Sequence, residues 1–247
     1  MTLRRLVMPL AVLMILLCTS MPSAQTKLGG GGSSGGASKD NGDIELVEKL
    51  LIARRDYQRS LELLRAQYIK TGDQERAKWA EEELKEYHRM NHQAYRLDLD
   101  VPPPTLRAST NIPDANKLLT AAKQYKDKGM GTEYIDNSRR TELLLQQLLT
   151  NYPTSSKIGE AAYMLGDLYE SKAYKQYRRS AIYFERSFQW DPTTHFDGRL
   201  RAARIYDKLV PERGRAMELY QEAINHETDP KRIEEAKKRL TVLKGAR

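Results

Sequence analysis

The second half of the chain repeats itself, and that repetition limits the fold more than any other feature. Leu145, Leu148 and Pro153 recur as Phe184, Ser187 and Pro192, each shifted by 39 positions. Ser180, Phe184 and Ser187 recur in turn as Ala216, Tyr220 and Ala223, shifted by 36. Each of these segments follows one with a compact pair and then a tyrosine: Ala121-Ala122-x-x-Tyr125, Leu165-Gly166-x-x-Tyr169 and Ala202-Ala203-x-x-Tyr206. A unit of this length is two helices. One pair cannot bury its apolar faces alone, so the units have to stack.

The spacing explains how they stack. Small residues at Gly166, Ser180, Ala203 and Ala216 let paired helices approach closely. Tyr169, Phe184, Tyr206 and Tyr220 fill the space toward the next pair, and a terminal proline stops the second helix. Unbranched helix formers dominate after residue 43 and Val is scarce, which favours helices over sheet. The pattern predicts helices at 114–128, 136–151, 156–172, 175–190, 195–209, 212–226 and 230–243. Asp229-Pro230 opens the last, with Asp as cap and Pro at the first helical position.

Ahead of this body, Leu46, Leu50, Ala53, Tyr57, Leu61, Leu64 and Tyr68 step by threes and fours, predicting a helix from Asp43 to about Ile69 with that stripe inward. Gly72 ends it and Asp73 caps a second helix to about Arg96, with Ala77, Ala80, Leu84 and Tyr87 inward. Residues 43–96 therefore read as an antiparallel hairpin. Val101-Pro102-Pro103-Pro104 and Asn111-Ile112-Pro113 force extended backbone, so residues 97–113 read as a proline-rich strap. Residues 114–247 form the repeat body, closed by a polar C-terminal helix.

Over Ala161–Pro192 the chain resembles the tetratricopeptide repeat. Leu165-Gly166-x-x-Tyr169 and Tyr177-x-x-Ser180-x-x-x-Phe184-x-x-Ser187-x-x-x-x-Pro192 carry the resemblance, with about two extra residues near Lys172–Lys175. The hairpin is a degenerate match, because Glu81 falls where an aromatic is usual. Leu148-Leu149-Thr150-Asn151-Tyr152-Pro153 followed by Ala161-Ala162-Tyr163 is similar to exported bacterial envelope members, of the outer-membrane assembly and Tol–Pal-associated type. The resemblance implies an all-α, right-handed solenoid of antiparallel helix pairs. It also implies a binding groove lined by first helices, here Lys123, Lys126, Tyr163, Asp167, Glu170, Leu200, Arg204 and Asp207. Mixed charge of that kind suits a protein or peptide partner.

The N-terminus reads as an export signal. Arg4 and Arg5 precede Leu6–Leu17, twelve apolar residues, and small residues follow to Ala24. Twelve helical residues are too short for a bilayer core of about 30 Å. Residues 1–24 are thus expected as a signal peptide. Residues 25–42, with Gly-Gly-Gly-Gly-Ser-Ser-Gly-Gly at 29–36, are expected as a flexible linker. Cys18 is the sole cysteine; a lipid anchor there is disfavoured by Leu17, where lipoprotein signals carry a small residue. Periplasmic or envelope-attached placement follows, with a membrane tether only through the N-terminus.

The formal charge of +8 includes Arg4 and Arg5, so a processed chain has 39 basic against 33 acidic residues, or +6. Export lowers the weight of nucleic acid as a partner and leaves anionic envelope polymer or lipid as the alternative. Catalytic signatures are missing: no Gly-rich phosphate loop, Gly-x-Ser-x-Gly elbow or His-Glu-x-x-His occurs, the Gly-x-Ser-x-Gly spacing inside the 29–36 run being linker. A non-enzyme without cofactor is the expectation, with an enzyme accessory domain in residues 43–100 a weak second. His88 and His92, read as one helical turn apart, have no third ligand in view for a metal. Trp79 and Trp190 are expected to anchor packing.

Overall fold

The computed structural model describes residues 42–245. The signal-peptide reading, Cys18 and nearly all of the predicted linker lie outside them. The described residues are all-α. Four helix pairs follow in chain order, α1(Ile44–Thr71) with α2(Gln74–Arg89), α4(Pro113–Tyr125) with α5(Thr132–Asn151), α6(Ile158–Glu170) with α7(Tyr177–Trp190), and α8(Gly198–Lys208) with α9(Arg213–His226). A one-turn helix, α3(Leu97–Asp100), interrupts the order, and α10(Pro230–Gly245) packs on α9 to close it.

Local chemistry sets the punctuation. Gly72 takes φ +78°, the left-handed conformation a side chain resists, and its N–H donates to Ile69 O. The Asp73 carboxylate then accepts from Arg76 N at 3.0 Å and starts α2. In contrast, α2 stops at Arg89, seven residues before the expected end. The segment Met90–Arg96 holds good helix formers in Met90, Gln93, Ala94 and Arg96, so propensity does not end the helix; the chain leaves it to reach the body, where Gln176 Nε2 donates to Asn91 Oδ1 and His92 O. His88 and His92 therefore do not share a helix.

The repeat body packs as the small and large positions require. A Cβ on Gly166 would stand 2.7 Å from the Phe184 ring, and Ser180 Oγ donates to Gly166 O at 2.6 Å. Ala203, Ala216, Phe184, Tyr169 and Tyr220 are fully buried. Two apolar cores result, one spanning α4 to α7 and one spanning α7 to α10.

The strap is stitched to that body. Pro103 O accepts from Trp190 Nε1 at 2.9 Å and Pro102 O from Arg186 Nε at 2.8 Å. Ala108 N donates to Trp190 O, and Thr110 shares an isolated parallel bridge with Ser155. Prolines cannot pair through N–H, so their carbonyls make the contacts and satisfy Trp190 as it is buried completely.

The hairpin is packed more thinly. Only Val47 and Leu61 of α1 are buried, while Leu46 is 67% exposed and Leu64 45%, so the expected inward stripe is displaced around the helix. Trp79 is 56% exposed and does not anchor packing. The reason is that α1 has one main neighbour, α2, and it is α2 that packs on α5. Arg89 fixes that junction by a bidentate pair to Asp136 at 2.7 and 2.9 Å.

Below the hairpin lies Glu142, whose side chain is 14% exposed. Its carboxylate accepts from Tyr169 Oη at 2.7 Å and Tyr174 Oη at 2.6 Å, and pairs with Arg139 at 3.3 Å. Burial works against its charge, but Arg179, Arg139 and the two hydroxyls outweigh it and hold the carboxyl below its ordinary range. Arg179 in turn meets Asp100 of α3 at 2.8 Å and lies over the Tyr169 ring. This network ties α3, α5, α6 and α7 together.

Candidate functional site

Successive first helices α4, α6, α8 and α10 bring their partly exposed residues to one continuous face, and ion pairs link each helix to the next. Between α4 and α6, Lys123 Nζ meets Glu160 at 2.5 Å and Lys126 Nζ meets Asp167 at 2.5 Å. Between α6 and α8, Arg201 Nη2 meets Asp167 at 2.8 Å and Glu170 at 2.5 Å, and Tyr163 Oη donates to Asp197 at 2.6 Å. Between α8 and α10, Arg204 forks onto Glu235 at 2.7 and 2.6 Å. Arg239 forks onto Asp207 at 2.9 and 3.0 Å, and Tyr220 Oη donates to the same carboxylate.

Seven of the eight expected groove residues therefore belong to one ladder. Leu200 is the correction. It is fully buried in the second core, and it is its neighbour Arg201 that joins the ladder. One residue on a helix is a turn of 100°, enough to exchange the core for the surface. Glu160, Asp197, Glu235 and Arg239 were missed as well. Their signal was the i, i+3, i+4 recurrence of charge along first helices, opposite in sign to the helix before.

The ladder holds its members charged. Burial opposes the Asp167 charge, yet Lys126 and Arg201 lower its carboxyl below the ordinary value. Arg204 lowers Glu235, and burial together with Asp197 raises the Tyr163 phenol. Arg201 also lies over the Phe184 ring at 4.6 Å, so one side chain joins the surface to the core. Beside it, Lys126, Asp127, Asp167, Glu170 and Ser171 line a shallow cavity of about 230 Å³. The exposed pairs contribute only about 0–1 kcal/mol each. Their larger effect is to fix long side chains in place before anything binds, removing an ordering cost from association.

Among the described residues no group of three or more His, Cys, Asp or Glu could hold a metal ion, and no helix is long and apolar enough to cross a membrane. No family model matches the chain, and neither a curated protein nor a solved structure is significantly similar to it.

Proposed function

We propose that the chain is a non-catalytic scaffold of the tetratricopeptide kind, exported to the bacterial envelope, which holds a protein or peptide partner on its first-helix face. The observation that carries this reading is the ladder. Polar groups of both signs are fixed in register on four alternate helices, a pattern that an extended polar segment can match with alternating charges of its own. The reading as a tetratricopeptide array rests on the residue spacing around Ala161–Pro192 and on helices packed in consecutive pairs. Export rests on the order of charged, apolar and small residues in the first 24 positions.

Two experiments test it. A photocrosslinking residue placed at Lys123 or Arg204 in the producing cells should give discrete adducts, while one at Gln147 or Glu218 on second helices should not. Adducts from the second-helix positions instead, or from neither face, contradict the scaffold reading. Fractionation tests export: a cytosolic chain that retains Met1 rules it out.

A further inference from the structure

The hairpin and the body enclose a cleft lined by none of the ladder residues. Its volume is about 400 Å³, within the range of small-molecule sites. It remains open because α1 buries so little of itself and the hairpin packs on α5 chiefly through α2. Part of the lining is apolar, contributed by Leu51, Leu99, Leu143 and Tyr183 from four helices. The rest is polar and unevenly charged.

The imbalance identifies the occupant. Four arginines line the cleft, Arg54, Arg55, Arg139 and Arg179, against two carboxylates, Asp100 and Glu142. Both carboxylates are already committed: Glu142 to Arg139 and the tyrosine hydroxyls, Asp100 to Arg179. Arg54 donates to Gln93 O, lies near the Tyr95 ring and acts on Asp100 only through space, and among the described residues neither Arg54 nor Arg55 forms an ion pair with a carboxylate. His88 and His92 also line the cleft, and burial lowers both imidazoles toward the neutral form, so the positive charge of the cleft at neutral pH is carried by the arginines. Two guanidinium groups without an ion pair, at a cleft partly lined by apolar side chains, match a carboxylate or phosphate carried on an apolar body.

We propose that this cleft is a binding site for a small amphiphilic organic anion, whose acidic head meets Arg54 and Arg55 while its body lies against Leu51, Leu99, Leu143 and Tyr183. A ligand there touches α1, α3, α5 and α7 at once, so it clamps a thinly packed hairpin onto the body. The site is separate from the first-helix face and stands whether or not that face holds a partner.

Calorimetric titration of the purified protein tests the site with four probes below their micelle concentrations: octanoate, octyl phosphate, octanol and octyltrimethylammonium. Saturable one-to-one binding of either anion, with neither neutral nor cationic probe bound, is the expected result, and the ratio of the two anions names the head group. The double variant R54Q/R55Q should weaken anion binding at least tenfold while its helical circular dichroism is unchanged. Leu51→Glu, which places a carboxylate beside the arginines from a half-buried position, should abolish it. Octanol bound as tightly as octanoate would show an apolar gap and no anion site. Undiminished affinity in R54Q/R55Q, or no saturable binding of either anion, overturns the proposal.

Discussion

Replacing Gly166 by Ala tests the packing of the repeat against the ordinary rules of helix propensity. In an unconstrained helix interior, Gly→Ala stabilises by about 1 kcal/mol. Here the new Cβ would stand 2.7–2.9 Å from three atoms of the Phe184 ring, well inside the roughly 3.5–4.0 Å of carbon contact. The ring has little room to withdraw. It is fully buried, Arg201 lies over it, and Tyr163 meets it edge-on at 5.4 Å. Overpacking of this kind costs about 1–3 kcal/mol, and an enclosed ring places the site at the upper end. The net is a loss of about 1–2 kcal/mol. For a folded body of this size that lowers Tm by about 2–8 °C. Gly214 supplies the control, since a Cβ there meets nothing within 4 Å. Thermal melts followed by circular dichroism should show Gly166→Ala falling and Gly214→Ala unchanged or rising. A rise in both would refute close approach of α6 and α7 at Phe184.

Two further substitutions probe the interior. Glu142→Gln leaves Arg139 without its carboxylate, and the loss expected for a broken buried pair is on the order of 3 kcal/mol by denaturant titration. Because the folded Glu142 carboxyl sits below its ordinary value of 4.5, its contribution is complete above that pH and lost as pH falls through the lower folded value. The difference between wild type and Glu142→Gln should accordingly shrink in acid; a difference constant with pH contradicts the network. Trp190→Phe removes the donor to Pro103 O and leaves a void beneath the strap, costing about 2–3 kcal/mol. A wild-type denaturation midpoint for this variant would mean that the strap is not anchored there.

Helix positions were legible where short-range chemistry marks them. Gly72-Asp73 and Asp229-Pro230 set helix ends within the sequence that shows them, and the recurrence of Gly166, Ser180 and Phe184 encoded its own packing. What escaped depends on residues far apart in the chain. Trp190 meets the strap across 87 positions, and the early end of α2 answers to Gln176, 85 positions from Asn91. Such contacts leave no periodic trace. The hairpin misled for a different reason: its apolar stripe is periodic, but only one main neighbour is present to cover it, so Leu46 and Leu64 remain exposed. On the candidate face the helices were legible and the exact register was not, which is how Leu200 stood in for Arg201.

The most direct test of the scaffold reading exchanges a charge pair without removing it. Arg204→Glu combined with Glu235→Arg preserves the bridge between α8 and α10 but inverts the order of charge that a partner would meet. With a photocrosslinking residue at Lys123 in the same chain, the adducts formed in cells should disappear, while Tm stays within the few degrees that an exposed pair can move. Unchanged adducts in the swapped protein would contradict partner binding on the first-helix face.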